Sequence, residues 1–180
     1  YSAVLRLYRP STDHQGSHQT VSERTGSGGA CQDVSGKVGV RPMQLTAFGL
    51  TDVGQVRPHN EDSILLEPAL HLYAVADGMG GHKGGEFASR ICLDTMRDYL
   101  QMAAKGHAPL VGEAAAAHSE AANLLGSAVR FANRAVFEAA FSKPEWRGMG
   151  TTIVALTVTD NRVAIAHVGD SRAYLLHQGK

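Results

Sequence analysis

Apolar and polar positions alternate over residues 44–50, the two-residue period of a half-buried strand. Two short apolar runs follow, at 63–67 and 70–76. Pro68-Ala69 between them predicts a hairpin. Glycines crowd residues 78–85, and a helical period takes over across 86–103. There Phe87, Ile91, Met96, Tyr99 and Leu100 share one side. Gly106 and Pro109 end that helix. A second, alanine-rich helical stretch is expected over 112–141, interrupted near Gly126 and closed by Lys143-Pro144-Glu145. The β period returns at 151–159. Asp160-Asn161 reads as a hairpin turn, 162–168 pairs back, Gly169-Asp170-Ser171 breaks the run, and 172–177 reads as a further strand. Gln178-Gly179 then begins a turn that leaves this strand without a sequential partner, so the sequence is expected to be truncated at its C-terminal side.

Residues 1–44 lack such periods. Ser, Thr, Gly, Gln and His dominate, and Ala3-Val4-Leu5 is an isolated apolar cluster. Such a stretch buries too little to offset its chain entropy, so 1–44 is expected to be a disordered tail and 45–180 the folded part.

Composition narrows the function. The 180 residues are 43% hydrophobic, 19% charged and 6% aromatic, which suits one globular core built on Ala, Val, Leu and Ile. Lys plus Arg and Asp plus Glu both number 17, for a formal net charge of zero. That balance argues against a nucleic-acid binder that neutralises many phosphates and against a polybasic membrane-surface protein. No apolar run approaches the roughly 18 residues of a transmembrane helix. Cys31 and Cys92 form no CxxC pair, so neither a zinc knuckle nor a redox dithiol is indicated, and a reducing, cytoplasmic setting is expected.

Chemistry gathers where strands meet loops. Glu61 and Asp62 precede the second strand, Asp77 follows the third, and Asp170 follows the fifth. Carboxylates at one sheet rim can share a site. Oxygen ligands without Cys or paired His suit Mg²⁺ or Mn²⁺ rather than zinc. Asp77 leads into Gly78-Met79-Gly80-Gly81, where glycine lets backbone approach an ion or phosphate. Two nucleotide loops fail on spacing: Lys83 is followed by Gly84, not Ser or Thr, and it stands where GxGxxG needs its last glycine. Arg57, five residues before Asp62, could grip phosphate with its planar fork.

Thr51-Asp52-Val53-Gly54 with Arg57-x-x-Asn60-Glu61-Asp62, Val75-Ala76-Asp77-Gly78-Met79-Gly80-Gly81-His82, Gly148-Met149-Gly150-Thr151-Thr152 and His167-Val168-Gly169-Asp170-Ser171-Arg172 occur in this order. Together they resemble the metal-dependent serine/threonine phosphatases of the protein phosphatase 2C family, in its bacterial form, over 45–180. The resemblance implies an α+β fold: a β-sandwich of two antiparallel sheets flanked by helices, present here as its N-terminal portion. It implies a cleft for two Mn²⁺ or Mg²⁺ ions, with a third weaker site. Asp77 would bridge two metals and the Gly78 carbonyl would ligate one. Glu61 and Asp62 would act nearby, partly through metal-bound waters. Arg57 would hold the substrate phosphate, and Asp170 would belong to the third site. Arg57, Asp62 and Asp77 are thus the implied catalytic residues; Thr151, Thr152, Ser171 and Arg172 read as structural.

The implied reaction is hydrolysis of phosphoserine or phosphothreonine in proteins by a metal-activated water, without a phospho-enzyme. Implied partners are phosphorylated proteins and serine/threonine kinases. Met79 stands where some members carry a histidine acid, and His82 is not assigned that role. The family's later Asp ligands have no counterpart before Lys180. Metals would then be weakly held, this chain alone could be inactive, and an apolar sheet face should be exposed. The alternative is a non-catalytic, phosphatase-like binding module. The discriminating feature is whether the coding sequence continues past Lys180 with further acidic motifs.

Overall fold

A computed structural model describes residues 3–8, 45–80, 84–159 and 162–176. Strand β1 is Val4–Tyr8 and β2 is Thr46–Leu50. They form a two-stranded antiparallel sheet in which Val4 faces Leu50 and Tyr8 faces Thr46. The remaining strands are β3 (Asp62–Glu67), β4 (Leu72–Met79), β5 (Gly150–Thr151), β6 (Ile153–Thr159) and β7 (Arg162–Val168). They build a second antiparallel sheet in the order β3-β4-β6-β7, with β5 also on β4. Among the described residues two α-helices join these strands, α1 (Gly84–Ala104) and α2 (Glu120–Ala140). The fold is therefore α+β with two antiparallel sheets, as expected. Both described helices lie against one face of the larger sheet.

The core follows from alternation. Leu72, Ala74 and Ala76 of β4 join Ile153 and Ala155 of β6 beneath the helices. From α1 come Ala88, Cys92, Leu93, Met96, Tyr99 and Leu100, one face at three- and four-residue spacing. From α2 come Leu125, Ala128, Ala132, Val136 and Ala140, again one face at three- and four-residue spacing. Tyr73, Val154 and Val158 are also buried but lie outside this cluster. The smaller sheet packs on the side of Ile64, where a Cβ on Gly49 would come within 2.8 Å of Ile64 Cγ2.

Several boundaries differ from expectation. The tail is not wholly unstructured, because Val4–Tyr8 pairs with β2; residues 9–44, Cys31 among them, lie outside the described residues. The second helix starts at Glu120, not at 112. Ser119 caps it by accepting from the Ala122 amide at 3.2 Å, and Gly112 sits at φ 83° in the preceding loop. Gly126 does not interrupt it. Gly106, at φ 74°, follows the end of α1. The 68–69 link is a 3₁₀ turn, Pro68–Leu70. The strand expected at 172–177 is absent from 172–176. Among the described residues no strand pairs with them, and Tyr174, Leu175 and Leu176 are exposed. The turns expected at Asp160-Asn161 and Gln178-Gly179 lie outside the described residues. An exposed apolar sheet face is expected, but the exposure is concentrated at the β7 edge: Val163 and Ile165 are both more than half accessible, whereas Tyr73, Val154 and Val158 on the same face are buried.

Candidate metal centre

The β3–β4 hairpin decides where the acids go. Its register pairs Asp62, the first residue of β3, with Asp77 near the end of β4. Directly opposed residues of an antiparallel pair project to the same face, so the two carboxyls are neighbours. Asp77 is exposed, while Asp62 is 8% accessible. Burial first, and then the Asp77 charge and the hydrogen bond shared with it, push the Asp62 carboxyl from 3.8 up to about 6; a hydrogen bond with Thr51 opposes this. Asp62 Oδ1 is buried and meets no hydrogen-bond partner among the described residues. A buried acceptor without a donor, facing a like charge, is costly unless a cation satisfies both. Hard oxygen donors in this arrangement fit Mg²⁺ or Mn²⁺.

The backbone around the pair is held on every side. Asn60 Oδ1 accepts from the Asp62 amide at 3.0 Å, and Asn60 Nδ2 donates to Thr51 Oγ1 at 2.9 Å. The Glu61 carbonyl accepts from the Gly78 amide at 3.1 Å and from the buried Ser89 hydroxyl of α1 at 2.7 Å. A Cβ on Gly78 would collide with the Gly85 carbonyl. A Cβ on Gly85 would stand 2.6 Å from Glu61 Cδ. Both glycines are therefore required by close backbone approach. On the other side of β4, Thr152 donates its amide to the Asp77 carbonyl at 2.8 Å, and Thr151 Oγ1 donates to the same oxygen at 3.0 Å.

The other expected site residues are placed less tightly. Glu61 is buried against Gly85 at the start of α1, Arg57 is exposed on the loop before β3, and Asp170 is exposed just after β7. Among the described residues no three His, Cys, Asp or Glu side chains gather as a metal-holding group. The rim thus brings Asp62 and Asp77 together, and Glu61 and Asp170 do not join them in one cluster. Gly81 and His82 lie outside the described residues. Nothing in the sequence marks Ser89, because a serine on a buried helix face resembles ordinary packing. Beside the centre, β2, β3 and α1 enclose a groove of about 600 Å³ that reaches Asp62. Burial pushes the Cys92 thiol up to about 12, so it offers no nucleophile.

The protein phosphatase 2C family profile matches residues 56–180. The chain belongs to the protein phosphatase 2C family. It is 38% identical over 130 residues to the serine/threonine protein phosphatase PstP of Mycobacterium tuberculosis, covering 72% of this chain and 22% of PstP. It is 36% identical over 129 residues to the serine/threonine phosphatase Stp of Listeria innocua, covering 70% of this chain and 48% of Stp. Among solved structures it resembles the PstP catalytic domain in complex with two manganese ions. The TM-score is 0.56 and the identity 35%, over 71% of this chain and 49% of that one. The chain thus spans about half of Stp and of this catalytic domain.

Proposed function

We propose that this chain carries part of the metal centre of a phosphatase that hydrolyses phosphoserine and phosphothreonine in proteins. One observation supports this most: a protein phosphatase 2C chain in which buried Asp62, with an orphaned oxygen, faces Asp77 across a hairpin. On this reading Asp62 and Asp77 hold Mn²⁺ or Mg²⁺ with the Gly78 carbonyl, and Glu61 lies behind them. The exposed Asp170 serves a further ion. Bound divalent ions supply the Lewis acidity that activates water and offsets charge on the phosphoryl oxygens. Arg57 binds the substrate phosphate from its loop through a charge-assisted fork. Substrates are phosphoproteins, so serine/threonine kinases stand upstream in the same cytoplasmic circuit.

The test is phosphate release from a phosphothreonine peptide by the protein carrying this chain, with Mn²⁺ and with EDTA. Turnover that needs Mn²⁺ and disappears in Asp77→Ala is expected. Turnover in EDTA, or full turnover in Asp77→Ala, contradicts the proposal.

A further inference from the structure

Thr152 stands between β5 and β6, directly across from Asp77. Its Oγ1 accepts from the Asp77 amide at 3.2 Å. The same oxygen lies 2.6 Å from Ser171 Oγ, in the loop that carries Asp170. The side chain also packs on that loop: a Cβ on Gly169, which sits at φ 99°, would stand 2.8 Å from Thr152 Cγ2. One threonine thus touches the backbone of the residue on one acidic site and both neighbours of the acid at the other. Its amide, bonded to the Asp77 carbonyl at 2.8 Å, fixes the opposite end of the same residue.

We propose that Thr152 is a positioning residue that couples Asp77 to the Asp170 loop through its hydroxyl. Loss of that hydroxyl frees the Asp77 amide and unties residues 169–171 at once, so both acids lose their orientation together. The inference rests on the metal-centre reading above and adds to it that the two acidic positions are linked mechanically. A valine keeps the shape of threonine and removes only the hydroxyl, whereas serine keeps the hydroxyl.

The experiment compares the 180-residue chain with Thr152→Val, Thr152→Ser, Ser171→Ala and the Val–Ala double variant. Mn²⁺ affinity is read by calorimetry. Amide exchange at residue 77 and at 169–171 is read without metal, beside the melting temperature. Thr152→Val is expected to weaken Mn²⁺ binding about 10-fold, the scale of a lost partner behind a ligand. It should also accelerate exchange at both places, while Thr152→Ser restores both readings. Ser171→Ala should weaken binding too, and the double variant should be no worse than Thr152→Val, because the two hydroxyls act as one link.

A lower melting temperature with unchanged Mn²⁺ affinity would reduce Thr152 to packing and overturn the proposal. So would a Thr152→Ser variant as weak as the valine, or an unaffected Ser171→Ala. If the unaltered chain binds no Mn²⁺, the metal-centre reading fails. In that case the exchange data still decide the coupling: unchanged exchange in Thr152→Val overturns it.

Discussion

Replacing Asp62 by Asn should stabilise the metal-free protein while removing a ligand of the proposed metal site. Two facing carboxyls, one buried, are held together at the cost of raising Asp62 from 3.8 to about 6. At pH 7 that rise corresponds to roughly 3 kcal/mol, at ~1.4 kcal/mol per tenfold change in proton affinity. Asp77 is exposed and water screens the pair, which reduces the figure to about 1–2 kcal/mol. Because the native carboxyl holds its proton more tightly than the unfolded one, its contribution to stability is complete below about pH 4. It is lost as the pH climbs through 6. Asn cannot ionise, so Asp62→Asn should match the unaltered chain near pH 4. At pH 7 it should melt higher by roughly 3–6 °C. Urea unfolding in EDTA across pH 4–7 reads the difference directly. Saturating Mn²⁺ should reverse the order, because the unaltered chain alone gains binding energy. A variant less stable at pH 7, or a difference that does not change with pH, would show that the Asp62 carboxyl is not held above its ordinary range.

Two other substitutions probe the surroundings of the pair. Gly85→Ala forces a Cβ to within 2.6 Å of Glu61 Cδ and 2.9 Å of the Gly78 carbonyl carbon. It should cost about 1–3 kcal/mol in urea unfolding and weaken Mn²⁺ binding with it; unchanged unfolding would show that the approach is not tight. Arg57→Ala should mainly raise KM for a phosphate ester, roughly 10-fold, with little change in kcat, the signature of lost phosphate binding. A drop in melting temperature with KM unchanged would make Arg57 structural.

Local patterns made much of this arrangement legible. Two apolar runs separated by Pro68-Ala69 are enough to predict the hairpin, and a hairpin of those lengths brings Asp62 close to Asp77. Apolar spacing likewise placed α1 within two residues of its observed start and one of its observed end. Alanine favours helix everywhere and so could not mark the start of α2, which depends on the Ser119 cap. Strand β1 was not legible because its partner, 46–50, lies some forty residues away, a pairing no local period reports. The same holds within the site. Thr152 looks like the opening of a core strand until the fold brings Ser171 to its hydroxyl. The position of Asp170 relative to Asp77 likewise depends on how β6 and β7 pair.

In the proposed function Asp62 and Asp77 together form a divalent-cation site. The most direct test is an Mn²⁺ titration of the 180-residue chain beside Asp62→Asn and Asp77→Ala, with bound ion counted by electron paramagnetic resonance. Saturable binding to the unaltered chain is expected at Mn²⁺ concentrations where neither variant binds. Equal binding by all three chains would contradict it.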